Sequence, residues 1–256
     1  MHLYDTHIHL YAEEFEADRS ALINKAISNG VSRFYLPNID SASISAMLDL
    51  EKEYPQQCFA MMGLHPCSVN QNVKEELKTV REWLNKRSFA GIGEIGLDLY
   101  WDKTYFKEQQ EAFVNQIDWA LEYDYPIIIH VRNAFKETIE LLKGFTTLPK
   151  GIFHCFSGTV DEANQVLALG QFKLGIGGVL TFKNSGLDQV VQSIDIKHLV
   201  LETDAPYLAP APFRGKRNEP SYILEVAKRL AELKSLEMDV VAEITSKNAE
   251  EIFKKA

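Results

Sequence analysis

Leu3-Tyr4-Asp5-Thr6-His7-Ile8-His9-Leu10 carries two imidazoles two positions apart in a strand-like stretch near the start of the chain. On a strand, residues two apart face the same side, so His7 and His9 project together and can clamp one ion, with Asp5 on the same face. Four more residues able to hold a metal recur down the chain, each at or near the end of an apolar, strand-like run. They are Glu94 in GEIGLD, His130 in IIIHVR, His154 in IFHCFSG and Asp204 in LVLETDAP. Strand ends from such distant segments meet only if the strands lie side by side in one sheet or barrel. The six residues thus bear on fold and chemistry together: a barrel whose rim holds one or two divalent metals.

Working outward from these motifs, short β-rich runs alternate with longer amphipathic ones. Strands are predicted over 3–10, 32–38, 58–65, 89–96, 125–132, 151–157, 172–178 and 198–205. Helices are predicted over 13–29, 41–54, 73–86, 105–123, 134–143, 160–169 and 187–194, with two more, 222–233 and 240–254, closing the chain. Eight strands, each followed by a helix, point to an α/β fold of the TIM (β/α)8 barrel type. A doubly wound open sheet is the alternative, but ligands on both the first and the last strand favour closure. No linker-like stretch or shift of composition divides the chain, so a single domain over 1–256 is expected.

The 46% hydrophobic and 25% charged content is that of an ordinary globular protein. No apolar run approaches the roughly 20 residues that cross a bilayer, and the N-terminal segment lacks the basic-then-apolar pattern of a signal peptide. Cys58, Cys67 and Cys155 are odd in number and fit no zinc-finger spacing, which points to reduced thiols in a cytoplasm. The net charge of −9 counts against broad binding of nucleic acid through a basic surface. It leaves room for an enzyme that gathers phosphate locally, because bound metals add positive charge. The densest basic segment, Arg214-Gly215-Lys216-Arg217, follows the Asp204 strand. Its place beside the proposed rim favours phosphate contact over a merely solvated loop.

Residue chemistry refines the picture. A carboxylate at the end of a buried strand is costly unless paired or metal-bound. Glu94 has two oxygens and can bridge two cations, which a neutral histidine cannot; the competing reading is an ion pair with Arg132. His130 and His154, on strands next to that of Glu94, make a second ion site, while Asp204 completes the first, since strand eight neighbours strand one in a closed barrel. Glu202 lies two residues before Asp204 on the same face, as a catalytic group or as an orienter of a ligand. His65, in Gly63-Leu64-His65-Pro66, sits on the same rim but too far round from the first site to be assigned as a ligand. A phosphate or leaving-group contact suits it, and Arg132 likewise. The donors are nitrogen and oxygen with no thiolate, which suits Zn²⁺, Mn²⁺ or Mg²⁺ alike. Two such ions about 3.5–4 Å apart lower the pKa of a water and clamp attacking and leaving oxygens. Gly175-Ile176-Gly177-Gly178 has no Gly-Lys-Ser/Thr after it, so it reads as the tight exit of strand seven.

In order, DTHIHL, GLHP, GEIGLDLYW, IIIHVR, HCFSG, LETDAPYLAP and FRGKRNEP cover nearly the whole chain. This set resembles the TatD family of metal-dependent deoxyribonucleases, within the amidohydrolase-like barrels. The resemblance implies a divalent-metal hydrolase of nucleic-acid phosphodiesters, with family metal positions at His7, His9, Glu94, His130, His154 and Asp204. The family's acid before the last ligand falls on Glu202, and its GLHP histidine on His65. Many amidohydrolase relatives bridge their metals with a carboxylated lysine; this chain has Glu94 there, as TatD proteins do. The expectation is a cytoplasmic, monomeric 3′→5′ exodeoxyribonuclease acting on single-stranded DNA with two divalent ions of the Mg²⁺ type. Glu94, Glu202 and Asp204 would be catalytic, Asp204 or Glu202 taking the proton of the attacking water. His65, Arg132, Arg214, Lys216 and Arg217 would contact substrate. The alternatives are a metal-dependent ester or amide hydrolase, such as a D-aminoacyl-tRNA deacylase, and a non-catalytic metal-holding protein, against which the complete ligand set weighs.

Overall fold

The computed structural model describes residues 2–253. Within them eight strands alternate with helices: β1 (Leu3–Asp5), β2 (Val31–Pro37), β3 (Cys58–Met61), β4 (Ile92–Asp98), β5 (Ile127–Arg132), β6 (Gly151–Phe153), β7 (Phe172–Ile176) and β8 (Leu199–Leu201). The helices are α1 (Arg19–Ser28), α2 (Ile44–Glu53), α3 (Val73–Lys86), α4 (Phe106–Tyr123), α5 (Phe135–Lys143), α6 (Val160–Ala168), α7 (Leu187–Ser193), α8 (Ile223–Lys234) and α9 (Met238–Ile252). The last helix, expected to reach Lys254, stops at Ile252; Lys254, like Met1 and positions 255–256 of the expected 1–256 domain, lies outside the described residues.

All neighbouring strands pair in parallel, β1-β2-β3 in one ladder and β4 through β8 in another. Main-chain bonds span both seams. Between β3 and β4, Ala90 N donates to Ala60 O at 2.8 Å, Met62 N to Gly91 O at 3.1 Å, and Gly93 N to Met62 O at 3.1 Å. Between β8 and β1, Thr6 N donates to Leu201 O at 3.0 Å and Asp204 N to His7 O at 2.9 Å. The strands thus form the TIM-type barrel, with no sheet edge left open to solvent.

Side-chain alternation divides the interior into two zones. Tyr35, Met61, Ile128, Ile152 and Val200 point inward and pack with Ile252 and Phe253, which plug the N-terminal mouth. The Tyr35 and Phe253 rings stack at 3.7 Å. Two residues further along the same faces, the apolar layer gives way to His130, His154 and Glu202. The intervening Ile127, Ile129, Phe153, Leu199 and Leu201 face the helices in the larger core. A period of two therefore carries an apolar base and a polar rim on the same strands.

The regular strands end earlier than the apolar pattern suggests. β1 stops at Asp5 and β8 at Leu201, so His7, His9, His154 and Asp204 stand just beyond their strands, whereas Glu94 and His130 stand within theirs. The chain nevertheless stays bonded past β1, through Ile8 N to Tyr35 O at 3.1 Å and His9 N to Ala205 O at 2.9 Å. These groups are buried at the rim, and that is why the apolar pattern outlasts the ladder.

Asn38 is the clasp where β2, β3 and β4 meet. Its backbone N–H is shared between Met61 O and Gly93 O, its carbonyl accepts from Glu94 N at 3.2 Å, and its Nδ2 donates to Gly63 O at 2.8 Å. Asn38→Ala keeps the backbone bonds but leaves the buried Gly63 O without its side-chain donor, at a cost of about 1–3 kcal/mol. The expected outcome is a melting temperature lower by about 2 °C or more, measured by calorimetry. An unchanged transition would remove Asn38 from this role.

Candidate metal centre

The rim residues converge from strands distant in sequence. His7 Nε2 and His9 Nε2 face each other at 3.3 Å, and Asp204 Oδ1 lies 3.7 Å from the first and 3.6 Å from the second. Glu94 stands between this group and a second one. Its Oε2 is 3.0 Å from His7 Nε2 and 3.7 Å from His9 Nε2. Its Oε1 is 2.7 Å from His130 Nδ1, 3.2 Å from His65 Nε2 and 3.3 Å from His154 Nε2. Each carboxylate oxygen therefore addresses its own set of imidazoles. His65, expected on the rim away from the first site, sits in the second set.

Local structure aims these groups. Tyr11 donates its one hydroxyl proton to Pro37 O at 2.5 Å and lies 3.0 Å from His9 Nδ1. The phenol oxygen must then accept from Nδ1–H, which leaves the His9 Nε2 lone pair directed into the site. His65 is set the opposite way: its Nδ1 accepts from Cys67 N at 3.0 Å, so the neutral ring carries its proton on Nε2 and offers a donor. Glu202 is enclosed behind His154. Its Oε1 accepts from Cys155 N at 2.5 Å and lies 3.0 Å from His154 Nδ1, close but poorly aligned for a hydrogen bond. Gly175 makes this possible, because a Cβ there would collide with the Glu202 carboxylate; this gives part of the 175–178 run its physical reason. Asp5, expected on the histidine face, turns towards β8 and accepts from Thr203 N at 3.0 Å and Thr203 Oγ1 at 2.6 Å.

Two groups were not legible as site residues. Asp98 ends β4, and its Oδ2 meets His130 Nε2 at 2.9 Å. α4 holds it: the buried Gln109 accepts from Asp98 N at 2.9 Å and donates to Asp98 O at 3.1 Å. Two turns further along the same helix face, Gln116 accepts from Leu64 N at 2.7 Å, just before His65. The signal available for Asp98 was a carboxylate closing an apolar run four residues after Glu94. Tyr11, the other missed group, gives no such signal.

The electrostatics follow from burial and crowding. Burial opposes ionisation of Glu94, but His65, His154, His7 and the hydrogen bond from His130 outweigh it and hold the carboxyl well below its ordinary range. Burial likewise opposes charge on His154, yet Glu94, Glu202 and Asp204 raise its pKa to about 10. His130 is raised too, against burial, by its bonds to Asp98 and Glu94. His7 and His65 are lowered, chiefly by burial. Asp204 is held down by His154, His9 and His7 in spite of burial. Its backbone sits at φ +57, in the left-handed region, and so does that of Cys155 at +46. Such conformations cost about 1–3 kcal/mol and collect where the surroundings fix them for function.

A cation fits this arrangement. His7, His9 and Asp204 form one group of donor atoms able to share an ion, and His7, Glu94 and His154 form another; His65, Glu94 and His130 lie as close, but there the Nε2 proton of His65 stands in the way. Two imidazole Nε2 atoms directed at one point, His9 as a lone pair, with carboxylates beside them, are arranged for a positive centre.

The expected substrate contacts lie less uniformly. Arg132 is exposed and stacks on Tyr100. Arg214 lies over the Phe182 ring at 4.0 Å, and Lys216 is exposed. Arg217 is committed elsewhere, its guanidinium bonded to Asp18 at 2.6 and 3.0 Å and to Glu14 O, which ties the loop to the segment before α1.

Comparison with known proteins finds relatives over nearly the whole chain. The family profile described as TatD related DNase matches residues 4–254. A Bacillus subtilis protein named uncharacterized metal-dependent hydrolase YabD is 39% identical over 98% of this chain and 99% of its own length. A Pectobacterium parmentieri protein named 3′-5′ ssDNA/RNA exonuclease TatD is 31% identical over 99% of this chain and all of its own. The crystal structure of YjjV, a TatD homologue from Escherichia coli K12, superposes with a TM-score of 0.92 at 30% identity, covering 99% of this chain and 98% of that one.

Two outcomes test the centre. Tyr11→Phe removes the acceptor that fixes His9, and metal affinity measured by titration calorimetry is expected to fall by about 10–100-fold; unchanged affinity would mean that the phenol does not aim the ring. With its pKa near 10, His154 is protonated at neutral pH in the ion-free protein, and it must become neutral to bind an ion. Ion loading therefore releases protons, and affinity rises with pH. Calorimetric heats at pH 7 that do not vary with the ionisation enthalpy of the buffer would contradict this.

Proposed function

Because the chain belongs to the family of TatD-related DNases, which are metal-dependent hydrolases, we propose that it hydrolyses phosphodiester bonds of single-stranded DNA from the 3′ end. The observation that carries the reading is Glu94, whose two oxygens face separate sets of imidazoles. This suits two divalent ions, with Mg²⁺ as the first choice and Zn²⁺ or Mn²⁺ as the others. His7, His9 and Asp204 would hold one and His130 and His154 the other, Glu94 bridging them. When bound, such ions polarise a scissile phosphate and lower the pKa of the attacking water. The exonuclease name of the Pectobacterium relative supports the choice of substrate and direction.

The protein's own groups then divide the work. Asp204 is the proton acceptor, since its carboxylate retains some exposure, at 12%, while that of Glu202 has none. Glu202 places a negative charge behind His154 and makes that imidazole more basic. The Nε2–H of His65 points at Glu94 Oε1 at 3.2 Å in this structure and would pass to a phosphate oxygen when substrate is bound. Arg214, Lys216 and Arg132 attract the strand, with Arg217 holding the loop that carries the first two. We take the cytoplasm as the compartment and a monomer as the working form; the three cysteines are unpaired, and no helix among the described residues is long and apolar enough to cross a membrane.

The test is metal-dependent degradation of 3′-labelled and 5′-labelled single-stranded DNA. Chelation should abolish it, and Glu94→Ala or His130→Ala should lower kcat/KM by about a thousandfold or more, on the scale of lost transition-state charge stabilisation. Degradation unaffected by either variant would overturn the assignment. Turnover of D-aminoacyl-tRNA in place of DNA would install the ester-hydrolase alternative.

A further inference from the structure

Two exposed aromatic side chains beside the metal centre have no part in the ligand set. Trp101 is 68% exposed and Tyr100 is 53% exposed, in the loop between β4 and α4, their rings 4.9 Å apart and nearly perpendicular. The Arg132 guanidinium lies 3.9 Å from the Tyr100 ring centre and 5.1 Å from that of Trp101. Large apolar groups are ordinarily withdrawn from water; two together at a rim, with an arginine laid against them, need a reason.

This cluster is coupled directly to the centre. Asp98 Oδ1 accepts from Tyr100 N at 2.9 Å and from Trp101 N at 3.2 Å, while Oδ2 of the same carboxylate holds His130. Arg132 follows His130 by two residues on β5. One carboxylate and one strand therefore fix the aromatic pair relative to the rim histidine.

We propose that Tyr100, Trp101 and Arg132 form a stacking shelf for an unpaired nucleobase of the DNA strand whose phosphate enters the metal centre. The proposal deepens the nuclease reading above and rests on it. An exposed indole offers a π-face that any base can use, and Arg132 supplies positive charge for the flanking phosphate. A base in a duplex has its faces covered by its neighbours, so the shelf selects single strands without reading sequence.

The experiment uses metal-loaded protein and two fluorescein-labelled phosphorothioate oligomers of equal length, one oligothymidylate and one abasic, with binding read by anisotropy and by quenching of indole emission. Wild type is expected to bind the base-bearing strand about five- to a hundredfold more tightly and to show quenching with that strand alone. Trp101→Ala should lose the quenching and, with Tyr100→Ala, bring the two affinities close together, while Trp101→Phe restores much of the preference. Both aromatic side chains are exposed, so folding does not confound the comparison. If wild type cleaves DNA but does not prefer the base-bearing strand, or if the alanine variants keep the full preference, the shelf is wrong and the nuclease reading stands. If wild type neither binds nor cleaves either kind of single strand, the nuclease reading fails and the shelf with it.

Discussion

A carboxylate buried at the centre of the barrel rim is the constraint to which the rest of the structure answers. Glu94 is 2% exposed, and an isolated charge in that position would cost several kcal/mol. It stays ionised because imidazoles surround it, and these can serve only if the strands that carry them are drawn round to meet it. The closure of the barrel, the backbone clasp at Asn38 and the apolar plug at the opposite mouth all keep that ring in register. The aligned nitrogens form a poor protein interior and a good cation site, which is the sense in which stability here yields to chemistry.

The support behind the ligands is as organised as the ligands themselves. Tyr11, Glu202 and Asp98 each engage the far nitrogen of a rim histidine, and each is in turn held by backbone or by a buried glutamine. Histidines placed in this way lose rotational freedom before any ion arrives, so less remains to be ordered on binding. α4 contributes through polar residues on its buried face, an exception to the apolar stripe expected of a barrel helix.

Much of this was readable from residue types. Metal chemistry admits few side chains, and a barrel brings them to strand ends, so His7, His9, Glu94, His130, His154 and Asp204 stood out by position alone; the structure gathers them at one rim. Legibility failed where a role depends on a partner rather than on a type. Asp98 looks like one more acid in GLDLYW until His130 lies beside it. Tyr11 looks like a core aromatic until Pro37 O is seen to accept its hydroxyl hydrogen bond. Arg217 reads as part of a basic loop, because its pairing with Asp18 spans most of the chain. Strand ends were overextended for a related reason: burial at the rim continues after the ladder bonds stop, and hydrophobic pattern records burial.

The seam between β8 and β1 also orders events in time. His7 and His9 lie far upstream of Asp204 in the chain, and the bond from Asp204 N to His7 O joins them. A growing polypeptide cannot assemble the full ligand set until β8 has emerged and docked against β1. A chain interrupted before Asp204 therefore lacks one carboxylate of the rim, and the ring of ligands closes only in molecules that have completed the circuit.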